Sequence, residues 1–163
     1  MRYRMLTEEE LNVLSEDFTQ FLVVQGIDDE SWRKMNLDNK EKAIQIVEIF
    51  SDTVLAKVYS KIKYLSYVSD KVYSIFRINK DNMNLILIKS TEPTFAFKNE
   101  NLIPELLNNH HNSWELYSST KQLGEKVTDE IHKLVTQGCQ ISKEETWNIF
   151  YDFHKKASKK ASF

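Results

Sequence analysis

Few side chains in this 163-residue chain stand at spacings that chemistry uses. His110 and His111, with Glu115 four residues beyond the second, could offer two ring nitrogens and a carboxylate oxygen to a metal ion. Asp129 and His132 stand at the i, i+3 spacing of ligands on one helix face. Neither set is complete, since a bundle-type dinuclear centre needs paired carboxylate–histidine motifs and further inward carboxylates. Solvated polar side chains are the expectation, and no metal site is predicted. Cys139 is the single thiol; no second cysteine is present to resolve a redox cycle, and His132 lies seven residues away. A structural thiol is expected ahead of a nucleophile. His110, His111, His132 and Cys139 are thus the candidate catalytic groups of a small enzyme, should a pocket between sheet and C-terminal helices gather them.

Two further groups bear on function. Ser51 and Asp52 form a polar pair inside an otherwise apolar helical stretch. If buried they need partners, and a buried polar network is either a device that specifies one packing or a site. Tyr59, Tyr64, Tyr67 and Tyr73 could line a core edge or a partner surface, with the core as the plainer reading and the partner surface following only if several are exposed together.

What the sequence lacks narrows the field. With Gly26, Gly124 and Gly138 as the only glycines, no phosphate-cradling loop, dinucleotide fingerprint or nucleophile elbow can be written, because those devices need backbone approaches that a side chain blocks. No cofactor is expected. A net charge of −2 and a pI near 6.1 give no global attraction to nucleic acid or anionic lipid. Lys155, Lys156, Lys159 and Lys160 near the end read as a solubilising tail more than a phosphate grip. Apolar runs such as Phe21 to Val24 and Leu85 to Ile88 fall far short of the roughly 20 residues that span a bilayer, so no membrane segment is expected. The opening residues lack the apolar stretch of a secretory leader, and a lone cysteine suits a reducing compartment; both lead to the expectation of a cytoplasmic protein.

The elements that would position these residues follow from periodicity. A chain of this length, 41% hydrophobic and 28% charged, can bury a core without disulfides, so one folded domain over 1–163 is expected, with 155–163 a frayed basic tail. Thr7 with Glu10 has capping-box spacing ahead of Leu11, Leu14, Phe18, Phe21 and Leu22, which predicts one helix stopped at Gly26. Asp28 caps a short helix holding Trp32 and Met35. Asp38 with Glu41 is expected to open a long helix through Ala43, Ile46, Val47, Phe50, Val54, Val58 and Ile62.

Runs rich in aromatic and β-branched residues, Tyr64 to Val68, Val72 to Ile78 and Met83 to Lys89, predict a three-stranded antiparallel meander, one face of which could pack on the long helix. A further short strand is possible at Thr94 to Phe97, a helical turn within Asn101 to Asn109, and a loop over Asn108 to Ser113. Two C-terminal helices complete the α+β class: one through Leu123, Val127, Ile131, Leu134 and Val135 stopped by Gly138, and one opened by Ser142 with Glu145 and carrying Trp147, Phe150, Tyr151 and His154.

Several stretches together carry a resemblance: residues Met1 to Leu11, Phe21 to Ile27, Ile49 to Asp52, Leu116 to Ser118 and Gly138 to Ser142. The chain resembles a family of small bacterial proteins of unknown function seen mainly in Bacteroidota. The resemblance implies a bacterial cytoplasmic protein and assigns no catalytic residue. The function expected from all of this is a non-enzymatic protein-interaction or assembly module, a homodimer or a subunit of a larger assembly, acting through a face of the sheet or the tyrosine-rich helix end. The alternative is a small enzyme or ligand-binding protein with a pocket between the sheet and the C-terminal helices.

Overall fold

A computed structural model of the protein describes residues 1–93, 96–97 and 114–160. The fold is mixed α and β, and the chain divides into two compact units, Met1–Ser60 and Lys61–Phe163.

In the first unit Thr7 forms the expected capping box: Glu10 N–H donates to Thr7 Oγ1 at 3.2 Å, and Thr7 N–H donates to a Glu10 carboxylate oxygen at 2.9 Å. The apolar run that follows is two helices rather than one, α1 (Glu8–Val13) and α2 (Ser15–Val24), interrupted at Leu14 with φ −96° and ψ 19°. β-branched Val13 and Ser15, which favours a helix start, flank the break. Gly26 ends α2 as expected, with φ +72°; its N–H reaches Val23 O, and Ile27 N–H reaches Leu22 O at 2.9 Å, the paired bonds of a left-handed glycine cap.

Asp28 caps α3 (Asp29–Asp38) by accepting from Ser31 N–H at 2.7 Å. Asp38, expected to cap the long helix, is instead the last residue of α3. The neighbouring Asn39 takes that place, its side-chain oxygen accepting from Lys42 N–H at 3.1 Å at the start of α4 (Lys40–Lys61). At 22 residues α4 is about 33 Å long and buries Ala43, Phe50, Ser51, Leu55 and Tyr59 on one stripe. Phe18 and Phe21 of α2 and Trp32 of α3 build the aromatic core of this unit, Phe18 lying 4.9 Å from Phe50 and 5.3 Å from Trp32 between ring centroids.

The second unit is a five-stranded antiparallel sheet in the order β4-β3-β2-β1-β5 with helices attached. The meander β1 (Tyr64–Val68), β2 (Val72–Ile78) and β3 (Asn82–Ser90) follows the sequence pattern closely. Two strands lie outside that pattern: β4 (Trp114–Gln122), paired along its whole length to β3, and the two-residue β5 (Gln140–Ile141) on β1. The sheet therefore has five strands, not three. Thr94 and Phe95 of the possible further strand, the expected turn in 101–109 and the loop over 108–113 lie outside the described residues.

After β4 a 3₁₀ turn (Gly124–Lys126) leads to α5 (Val127–Thr136), which ends at Gly138 with φ +97° and the same pair of cap bonds, Gly138 N–H to Val135 O and Cys139 N–H to Leu134 O. α6 (Glu144–Lys160) begins without the expected Ser142 cap. Ser142 N–H is instead drawn to Tyr64 O at 3.0 Å, which extends the β1–β5 pairing, and the buried Ser142 hydroxyl has no hydrogen bond to a described residue. α6 continues through Lys160, so the lysines from 155 onward are helical.

The helix seated on β2 and β3 is α6. Alternation puts Tyr73 and Ile75 of β2 and Ile86 and Ile88 of β3 on one face, where they close over Trp147 and Phe150, with Leu116 and Trp114 of β4 and Phe153 of α6 packed around them. No helix among the described residues is long and apolar enough to cross a membrane.

Candidate functional site

The register that aligns the apolar rows also aligns a polar row at one end of the same face. Ile75, Ile86 and Ser118 are successive cross-strand partners on β2, β3 and β4, and Arg77, Asn84 and Thr120 are the next such row. Toward this end β4 changes from Trp114 and Leu116 to Ser118 and Thr120. These short side chains do not fill the space under α6, whereas the larger ones further along do. The result is an open cleft of about 480 Å³, floored by Arg77, Asn84, Ser118 and Thr120 and walled by Trp147, Tyr151 and His154 at i, i+4 and i+7 of α6. That volume is within the usual range for a small-molecule site.

The cleft is rich in hydrogen-bond donors. Asn79 donates to the Asn82 side-chain oxygen at 2.7 Å and to that of Asn84 at 2.8 Å, and Asn84 in turn donates to Thr120 Oγ1 at 2.8 Å. Because Thr120 Oγ1 is the acceptor in that bond, its own proton is left to donate elsewhere. The Arg77 guanidinium is exposed and has no ion pair or hydrogen bond with any described residue, and no carboxylate among the described residues lines the cleft. On the wall, the Trp147 and Tyr151 rings are near parallel, 23° apart with centroids 6.3 Å apart. Lys155 Nζ stands 5.5 Å from the Tyr151 ring centroid, and Tyr151 is 44% exposed.

The described residues singled out from the sequence are elsewhere. His110 and His111 lie outside the described residues. Glu115, the carboxylate considered with them, is on the opposite face of β4, where it accepts from Tyr117 O–H at 2.9 Å and pairs with Lys89 at 3.2 Å. Those two partners, the tyrosine first, hold its carboxyl below the usual range. His132 and Asp129 are on α5, and among the described residues no three histidine, cysteine, aspartate or glutamate side chains come together as a metal would need. Cys139 is buried at the glycine cap of α5, and desolvation raises its thiol away from the thiolate form.

Ser51 and Asp52 do come together with partners, but as a clasp on the first unit's own N-terminal segment. Asp52 accepts main-chain N–H bonds from Arg2 at 2.6 Å and Tyr3 at 2.8 Å. Ser51, fully buried, accepts from Leu6 N–H at 3.2 Å and donates to Val47 O at 2.7 Å. The Tyr3 ring meets Tyr59 edge to face at 5.2 Å. Of the four tyrosines considered as a surface, Tyr59 and Tyr73 are buried, Tyr64 is half-buried and Tyr67 is 38% exposed, so together they form no exposed patch.

Arg77 is the cleft residue that residue type and spacing do not single out. Its signal is present in the sequence, a cation on the strand parity that otherwise carries Tyr73 and Ile75.

The profile of a protein family, described as a family of unknown function (DUF6495), matches residues 1–155. The chain belongs to that family. The match runs through both units and includes Arg77, Thr120, Tyr151 and His154. No curated protein and no solved structure matches the chain.

Proposed function

We propose that this DUF6495 protein is a non-catalytic binding module whose working surface is the cleft between the sheet and α6. The observation that carries this reading is the composition of the cleft floor: an arginine without a partner among the described residues beside outward-donating hydroxyls, under an aromatic wall. Such a set recognises and orients. The only thiol of the chain is buried at a helix cap and does not line this cleft. A cytoplasmic setting in a bacterium, as the family resemblance and lone cysteine suggest, completes the reading. Titrating the full-length ¹⁵N-labelled chain with a fragment library tests it: binders should shift the amides of Arg77, Ser118, Thr120 and Tyr151 together. Binders that cluster elsewhere, or that are chemically turned over, would overturn it.

A second reading, association with another protein or a second copy, is favoured by the outer edge of the sheet. There Ile141 on β5 is 69% exposed, and Tyr67 and Val68 of neighbouring β1 are 38% and 39% exposed. Light scattering after size exclusion tests the self-association form: Ile141→Lys should convert an oligomer to a monomer, and a wild-type monomer at high concentration removes it.

A further inference from the structure

The binding reading leaves the occupant undefined, and the chemistry of the cleft narrows it. The floor of the cleft offers several donors that no described residue uses. Arg77 presents a planar fork of N–H groups suited to two oxygens of one anion, Thr120 has its proton left over after accepting from Asn84, and Ser118 sits on the same face one row away. Among the described residues no carboxylate competes for the guanidinium within the cleft, and Lys155 adds positive charge beside Tyr151. A neutral or cationic ligand would leave this charge uncompensated on binding, whereas an oxyanion satisfies it. Across from the floor, Tyr151, 44% exposed, presents aromatic surface to the cleft, with the buried Trp147 ring stacked beside it.

We propose that the cleft binds an organic oxyanion carried on a planar ring, with the carboxylate or phosphate held by Arg77, Thr120 and Ser118 and the ring lying against Tyr151 and Trp147. The inference rests on the cleft being the binding surface. The anion supplies specificity, because removing it strands the guanidinium, while the ring supplies apolar contact that tolerates variation.

The test uses the full-length chain, calorimetry and ¹H–¹⁵N spectra, with four probes: benzoate, phenyl phosphate, benzyl alcohol and inorganic phosphate. Benzoate or phenyl phosphate should bind at least about tenfold tighter than benzyl alcohol and inorganic phosphate, with affinity that falls as salt rises. The tighter of the two names the oxyanion. Arg77→Gln should erase the advantage over benzyl alcohol, while its spectrum elsewhere stays that of the folded chain. Ser118→Phe, which fills the cleft from the sheet side, should abolish binding of every ring probe. If benzyl alcohol binds in the cleft as tightly as benzoate, or if Arg77→Gln leaves the preference intact, the oxyanion assignment is overturned and the binding surface stands. If no probe shifts a cleft amide, both fall.

Discussion

Asn84 donates its side-chain amide to the Thr120 hydroxyl at 2.8 Å across β3 and β4, and Asn79 holds the other end of that amide at 2.8 Å. The relay fixes a polar floor in register with Arg77, and it makes the cleft's charge easy to invert. Asn84→Asp keeps an oxygen for Asn79 to donate to but places a carboxylate beside the guanidinium. Oxyanion probes should then lose at least about tenfold in affinity, because the arginine gains an internal partner. Calorimetry at two salt concentrations checks this, and unchanged affinity would mean that Arg77 does not meet the anion.

Ser51→Ala should destabilise the protein by about 1–3 kcal/mol, since it strands the buried Leu6 N–H that the serine hydroxyl now accepts. Urea unfolding gives the magnitude, and hydrogen exchange at Leu6 gives the place. Faster exchange at Leu6 ahead of the amides of α4 is the expected signature of a loosened clasp.

Glu10 gives a pH signature. Its carboxyl is lowered to about 2, chiefly by the Arg4 guanidinium, which bonds both oxygens at 2.7 Å, and then by Thr7 N–H. A group whose folded value lies below its unfolded one contributes stability that is present above the unfolded value, near 4.5, and is lost as pH falls toward 2. Thermal melts between pH 6 and pH 2 should therefore show a steeper acid loss for the wild type than for Glu10→Gln. Parallel curves would show that the pair is too solvated to matter.

Cys139 should react slowly with iodoacetamide at pH 8 in the folded state and rapidly once the chain is unfolded in urea, because the thiol is both buried and raised by desolvation. Fast stoichiometric labelling of the native protein would reinstate it as a nucleophile.

Phe150→Ala removes a fully buried ring from the cluster that seats α6 on the sheet, and should cost about 3–5 kcal/mol of unfolding free energy in denaturant melts. A loss below 1 kcal/mol would mean that α6 is held by something other than this core.

Local structure is legible in the sequence where one residue's geometry decides the outcome. Thr7 with Glu10, Asp28, Gly26 and Gly138 all do in three dimensions what their types and spacing predict, because a cap is satisfied within a few residues. Asp38 and Ser142 show the limit. Each has a cap spacing, but Asn39 competes at the first site and a strand contact to Tyr64 O claims the second. The strand β4 escaped for a different reason: from Ser118 to Gln122 it has no apolar alternation, since the face it turns to α6 lines a cleft instead of filling a core. The same cause hid the site. Arg77, Ser118 and Thr120 are brought side by side only by strand register, which links residues some forty positions apart, while the histidines and cysteine that drew attention by type alone have no such meeting point among the described residues.

The clasp at the start of the chain has an evolutionary corollary. Asp52 grips positions 2 and 3 through their main-chain nitrogens, so the grip is blind to side-chain identity. Position 2, whose side chain is exposed, should accept nearly any amino acid across relatives except proline, which has no N–H to offer. Position 52 should stay acidic, because two amides converge on one carboxylate there.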